Sequence, residues 1–394
     1  MSSAGRQARS VERREVVIVG GGPAGAVTAA WLARGGRDVL VLDRSPTWRW
    51  KACGVFASPT AVDELRRLGL DQATIDAIAR PVAAMRVETA GAPPVRLTYG
   101  AERDPAKAAV GFDRAGLDTA LLTAASDAGA EVRLGGSVQE VDPPRLVVVD
   151  GEGQHDIEAR VLVGADGIRS IVARSVGIDR QPVLDRTALT YHVALPPDWG
   201  RDARMLVFDG GYCGLAPVPG DRLNVGIVLG GRWLRRLRTE GAAAVVAEID
   251  PTGLTRCDRI EGAAPVAHRV SRRAGDGWLL VGDAAGFLDP FTGEGLHRAL
   301  VSARLAATAI ERHLAGRTFD LADYERRMRG RFAAKDIVSV IVQGFLARPA
   351  VFGYAARRLA ARRAVRETMS DVMGDLVPAT RAIDPRFLAA LLRP

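Results

Sequence analysis

The chain has 394 residues, enough for two or three packed units with a sizeable core. With 47% hydrophobic and 25% charged residues, it reads as an ordinary globular protein and not a disordered one. The net charge of +8 is carried almost wholly by arginine, since Lys51, Lys107 and Lys335 are the only lysines, and no basic run is interleaved with stacking aromatics, which argues against nucleic acid as a partner.

Residues 1–10 are polar and read as a disordered tail, with no apolar stretch that would make a signal peptide. Cys53, Cys213 and Cys257 are too few and too scattered for a disulfide framework or a zinc site, which fits a reducing cytoplasm. No apolar run reaches the roughly 18 residues of a membrane span, and no metal is expected.

The first periodic element is "VVIVG" (16–20), a short β-branched run with the composition of a buried parallel strand. "GGGPAGAVTAAWLARGG" then has apolar residues at helical spacing and a Gly35–Gly36 stop, and "DVLVLDR" (38–44) is a second buried strand ending in an acid. Together these make one βαβ unit. Inside it Gly20, Gly22 and Gly25 match G-x-G-x-x-G, and Asp43 lies 23 positions beyond Gly20. Gly20 permits the tight turn, Gly22 lets the backbone approach a pyrophosphate, and Gly25 lets the helix pack on the strand. Asp43 is placed to accept ribose hydroxyls, and Ala24 and Arg44 belong to the same dinucleotide site.

Further along, 58–70 and 113–130 read as amphipathic helices, and "EVRLGG", "SVQEV" and "RLVVVDGEG" as strands. Residues 159–178 read as strand, loop and helix. Residues 186–261 are strand-rich, with polar helical turns near 231–250, and suggest a largely antiparallel sheet. "GWLLVGD" (277–283) returns to the parallel-strand style. It leads into "GDAAGFLDPFTGEGL" (282–296), a strand end that turns into a glycine-opened helix start. Everything after 293 reads as helical.

Three separated motifs resemble those of FAD-dependent oxidoreductases with the glutathione-reductase-like fold, the group that holds class A flavin monooxygenases, geranylgeranyl reductases and flavin-dependent halogenases. They are the βαβ unit of 16–44, the Asp-Gly motif in "GADGIRS" (164–170) and the Gly-Asp motif at 282–296. The resemblance implies an α/β fold: a Rossmann-like FAD-binding domain with an inserted, largely antiparallel β-sheet substrate domain and C-terminal helices. The expected FAD-binding domain covers 11–80, 107–180 and 268–330, the substrate domain 81–106 and 181–267, and the helical region 331–394.

In that family Gly282 and Asp283 would meet the ribityl or phosphate part of FAD, and Pro290 would lie along the flavin ring. Gly293, Gly295 and Leu296 would present helix-start N–H groups to the side of the flavin where charge accumulates on reduction. Arg114 resembles the family arginine that reaches the dinucleotide, and as a plain helix-start cation it would oppose the helix dipole. Asp166 is expected to brace its own loop near FAD.

The branch within the family is less plain. "WKACGVFASP" (50–59) resembles the K-x-C-G loop of the geranylgeranyl reductases, and Gly286 stands where aromatic hydroxylases usually carry histidine. Cys53 is either a redox partner of the flavin or a small apolar filler, and Lys51 either a flavin-proximal cation or a solvated loop lysine. These two and Pro290 are the catalytic candidates. No W-x-W-x-I-P motif is present, so the halogenase branch is set aside.

Tyr191, Tyr212 and Cys213 are candidates to line a substrate pocket over the flavin, while His192 faces the opposite side from Tyr191 and reads as a packed or exposed histidine and not a catalytic one. Only one dinucleotide fingerprint is present, so NADPH or NADH is expected as a transient donor. The favoured activity is monooxygenation, a hydroxylase or epoxidase using O₂ on an apolar aromatic or unsaturated small molecule of secondary metabolism. The alternatives are reduction of isoprenoid C=C bonds and a flavin-dependent cyclisation without net redox. Residues 331–367 mix apolar turns with arginine clusters, which serves either to cover the core or to touch a membrane peripherally.

Overall fold

The computed structural model describes residues 11–47, 55–104, 107–181, 184–316 and 321–393. The expected tail at 1–10 and the candidates Lys51 and Cys53 lie outside them.

The nucleotide-type sheet has the spatial order Ala274–Gly275, Trp278–Leu280, Gly153–Gly164, Val11–Val19, Val39–Asp43, Glu131–Leu134. All neighbours from Trp278–Leu280 to Glu131–Leu134 pair in parallel. A hairpin of Ser137–Asp142 and Arg145–Asp150 adds antiparallel pairing to the first half of Gly153–Gly164. The central strands are apolar on both faces because both are covered. Val16, Ile18, Val39, Val41 and Val163 point to the Pro23–Arg34, Arg114–Asp127 and Gly295–Leu314 helices. Val17, Leu40, Leu42 and Leu162 point to the hairpin and the Ile171–Ser175 helix. The sheet reverses its winding at Val11–Val19, which makes the carboxyl ends of these strands the place for a ligand.

A seven-stranded sheet runs Glu261–Ala263, Arg186–Ala194, Arg222–Gly230, Gly211–Val218, Ala203–Phe208, Met85–Thr89, Val95–Leu97. It is antiparallel except where Ala203–Phe208 meets Met85–Thr89. Strand alternation divides its side chains. Tyr191, Val193, Cys213, Leu215 and Ile227 pack under the Arg232–Ile249 helix. Met85, Val95, Met205, Tyr212 and Val228 pack toward the C-terminal helices. A small sheet of Phe56–Ala57, Ala109–Phe112 and Ala79–Val82, which no sequence pattern had indicated, joins the two larger units.

The C-terminal region is helical as expected, but it is broken into Ala322–Leu346, Pro349–Ala361, Arg363–Met373 and Pro385–Leu392. Pro349 enforces the first break, since proline is tolerated at the first turn of a helix and not inside one. Among the described residues no single helix is long and apolar enough to cross a membrane.

Candidate functional site

All three motifs leave the sheet at the carboxyl ends of parallel strands. Gly20 follows Val11–Val19 with φ of +103°, and a Cβ there would lie 2.4 Å from the Ala165 carbonyl oxygen. Gly25 permits the helix to sit on the turn, since its Cβ would fall 1.9 Å from the Gly20 oxygen. Gly282 packs against the same helix, with a Cβ that would meet Ala24 Cβ at 2.7 Å, and its N–H donates to Ser302 Oγ at 2.9 Å. The fingerprint loop, the Asp-Gly loop and the Gly-Asp loop are thus in mutual contact.

Gly22 differs from its neighbours. Its φ is an ordinary −67°, and a Cβ there would meet no protein atom within 4 Å. Nothing among the described residues requires glycine at that point, and the Pro23–Arg34 helix behind it starts without a side-chain cap or an acidic residue. An uncapped helix N-terminus with a cleared approach fits a diphosphate.

Asp43, at the tip of the neighbouring strand, is buried and oriented by two amides: Gly21 N–H donates to Oδ2 at 2.9 Å and Ser45 N–H to Oδ1 at 2.8 Å. The Arg44 side chain beside it is exposed. Asp166 Oδ2 accepts from Ile171 N–H at 2.6 Å, bracing its own loop as expected, while its buried Oδ1 has no partner. Burial pushes the Asp166 carboxyl up.

The Asp283 side chain makes no hydrogen bond among the described residues. Desolvation pushes its carboxyl up, opposed by the charges of Arg114 and Arg298. Arg114 itself lies 3.1 Å from Asp118 one helical turn on. That buried acid offsets the dipole penalty of a cation at a helix start, and the i, i+4 spacing was the signal available in the sequence.

Two polar clusters behind the Gly-Asp loop were not anticipated. Asp289 is buried, accepts from Phe291 N–H at 3.0 Å, and so caps the turn Pro290–Thr292. Its carboxylate also accepts from Tyr212 Oη at 2.6 Å and Arg186 Nη1 at 2.7 Å, which ties the loop to the seven-stranded sheet. An acid just before proline is a recognisable turn-cap pattern; its partners, 77 and 103 residues away, are not.

The second cluster holds the start of the Gly295–Leu314 helix. Lys335 is buried and donates to Asp375 Oδ1 at 2.9 Å and to the Val372 carbonyl at 2.6 Å, with Glu294 Oε1 3.3 Å away. His297 Nδ1 lies 3.0 Å from Asp375 Oδ2, which also accepts from Ser58 Oγ at 3.1 Å. Burial pushes the Asp375 carboxyl up, but the His297 hydrogen bond and the Lys335 charge outweigh it and hold the group well below the usual range. Burial raises the Glu294 carboxyl, and Lys335 opposes that only in part.

Gly293, with φ of +68°, abuts Phe56, and Gly295 abuts the Phe287 ring. Leu296 anchors that helix start in the nucleotide-domain core. Pro290 opens the turn whose Phe291 ring stands edge-on to Tyr212 at 5.1 Å and to Phe352 at 6.3 Å. Phe291 marks one wall of a cavity of about 100 Å³ between the Met85–Thr89 and Val95–Leu97 strands and the C-terminal helices. All of its lining residues are apolar, among them Leu97, Val338, Phe345, Phe352 and Met373.

The structure corrects two expected pocket residues. Tyr191 and Cys213 lie in the core beneath the Arg232–Ile249 helix, on the sheet face opposite Tyr212, because adjacent strand residues point to opposite sides. His192, for which the sequence leaves packing and exposure open, is packed, with Nδ1 2.6 Å from Asp258 Oδ2.

The FAD binding domain family matches residues 13–197. The chain is 32% identical over 359 residues to a menaquinone reductase of Mycobacterium tuberculosis, covering 83% of this chain and 84% of that one. The chain belongs to the FAD-dependent oxidoreductases of the class A flavin monooxygenase and geranylgeranyl reductase group. It is also 32% identical over 314 residues to a digeranylgeranylglycerophospholipid reductase of Methanopyrus kandleri, covering 74% and 79% of the two chains. The solved structure of PqsL, a probable FAD-dependent monooxygenase from Pseudomonas aeruginosa, shares the fold with a TM-score of 0.68 at 23% identity, over 86% of this chain and 98% of that one. FAD is therefore the cofactor that the family implies, and the cleared approach at Gly22 fits its diphosphate.

Proposed function

We propose that this chain reduces carbon–carbon double bonds of an apolar, isoprenoid-type molecule, with electrons delivered to FAD by NADPH or NADH bound transiently. The observation that carries the reading is the cavity behind Phe291. Its walls offer no hydrogen-bonding side chain, so it discriminates by length and shape and suits a hydrocarbon chain better than a polar aromatic. Two relatives named for reducing menaquinone and digeranylgeranylglycerophospholipid add support.

Reduced FAD supplies a hydride when bound. Gly20 to Gly25 and Asp43 would hold the dinucleotide, and Asp289 fixes the Pro290–Phe291 turn at the cavity wall. The apolar wall keeps water from the reacting carbons. The second hydrogen arrives as a proton, and the carboxyls of Asp283 and Glu294, raised by burial, are the groups suited to hold it.

Oxygenation is the second reading, supported by the fold shared with the probable monooxygenase PqsL. Mass spectrometry of products from geranylgeraniol and a short-chain menaquinone, incubated with the flavin-loaded protein, NADPH and labelled O₂, separates the two. The expected product has gained two hydrogens and no label. Incorporation of one labelled oxygen atom overturns the reductase reading in favour of the oxygenase.

A further inference from the structure

The outer surface of the C-terminal helices carries two features that the flavin chemistry does not use. The first is an exposed apolar elbow. Ala322–Leu346 and Pro349–Ala361 meet at 116°, and together they have the length and apolar composition of a membrane span, although the bend prevents a straight crossing. Their inner faces contribute Val338, Phe345 and Phe352 to the cavity wall. Near the corner their outer faces carry apolar residues as well: Ile337 is 49% exposed, Val340 58% and Val351 40%, and the corner from Ala347 to Val351, with Arg348 in it, is exposed throughout. Ile337, Val340, Gly344 and Ala347 follow helical spacing along one stripe. A helix that is apolar on both sides, with only one side covered by protein, has a second apolar environment to meet.

The second feature is charge. Residues 322–393 contain fourteen basic and seven acidic side chains, so this region holds a net +7 of the chain's +8. Between Asp336 and Glu367 there is no acid at all, while Arg348, Arg357, Arg358, Arg362, Arg363 and Arg366 lie in and beyond the corner. A protein partner meets a patch with discrete countercharges, whereas an anionic bilayer offers a continuous field to arginines spread around an apolar tip.

We infer that this elbow docks on the surface of an anionic lipid bilayer, with Val340, Ala347 and Val351 in the headgroup–acyl boundary and the arginines on lipid phosphates. The cavity lies directly beneath the docked helices, so a lipid-borne chain reaches it through a single helical layer. The docking stands on exposure and charge alone. Only its use for substrate delivery rests on the reading of an isoprenoid substrate.

Flotation of the flavin-loaded full-length protein with phosphatidylcholine vesicles, with and without phosphatidylglycerol, tests it. The protein is expected to float with the anionic vesicles, to stay behind with the neutral ones, and to be released as salt screens the attraction. Val340→Glu/Val351→Glu should lower the bound fraction by about tenfold or more, and Arg348→Gln and Arg363→Gln by about fivefold each. All four positions are away from the motif loops, so flavin absorbance should be unchanged. The inference is overturned if the protein does not float, floats equally with neutral vesicles, or floats undiminished in Val340→Glu/Val351→Glu. A concentration-dependent dimer in solution that the same pair of changes dissolves would overturn it too, assigning the elbow to a second copy. Flotation without reduction of detergent-dispersed geranylgeraniol supports the docking and overturns the substrate reading instead.

Discussion

At the carboxyl ends of the parallel strands, the ligand-facing surface is mostly backbone. Gly20, Gly25 and Gly282 let the three loops pack on one another, Gly22 leaves the approach open, and a helix start supplies the N–H groups. Behind Phe291 the surface is entirely side chain, contributed by strands near residue 90 and helices beyond residue 330. The first surface is rigid in chemistry, because one atom added at a given position either collides or does not. The second tolerates exchange of one apolar group for another of similar volume. A family can therefore keep its cofactor while changing its substrate, and the comparison explains why cofactor and substrate are legible to such different degrees.

The sharpest way to break this comparison is to add one carbon to each kind of glycine. Gly25→Ala drives a methyl to 1.9 Å from the Gly20 oxygen and should cost on the order of 3 kcal/mol or more of stability, with flavin lost as a consequence. Gly22→Ala adds a Cβ with no described protein atom within 4 Å and should leave the circular dichroism and melting of the flavin-free protein unchanged, yet cut flavin retention by more than about tenfold. Equal behaviour of the two variants would mean that Gly22 serves the fold and not the ligand.

Lys335→Met probes the polar cluster between the two regions. It leaves Asp375 and Glu294 buried without the ammonium, and a loss of about 3–5 kcal/mol is expected. Asp375 has a folded-state pKa below its unfolded value. Its stabilising contribution is therefore present above the unfolded pKa of about 4 and is lost as pH falls toward the folded value. The difference in melting temperature between wild type and variant should be greatest near neutral pH and shrink in acid. A gap independent of pH would show that Lys335 acts through packing alone.

The smallest effect sharpens the assignment of the two sheet faces. The Tyr191 hydroxyl is buried and makes no close hydrogen bond among the described residues, only a looser interaction with Asp250, so Tyr191→Phe removes a poorly satisfied group. Thermal unfolding should show a change within about 1 kcal/mol, neutral or stabilising, with turnover unaltered. A marked loss of turnover would return Tyr191 to the substrate site.

The sequence by itself determined the βαβ unit, the α/β class with its antiparallel insertion, and the cofactor. Each rests on local rules: strand composition, helix periodicity, and glycines at spacings that a diphosphate demands. The bracing role of Asp166 was likewise legible from its motif, whereas strand alternation set His192 opposite Tyr191 without saying whether it is packed or exposed. The face of the seven-stranded sheet that looks toward the apolar cavity was not legible, since alternation separates Tyr212 from Cys213 without saying which side is which. Asp289 finding Arg186 and Tyr212, and Lys335 finding Asp375 and Glu294, depended on segments 40 to 103 residues apart meeting in space. So did the apolar cavity, whose walls come from elements that share no local pattern. Tertiary structure decided these because a buried charge or an apolar surface specifies only that it must be covered, and the fold chooses by what.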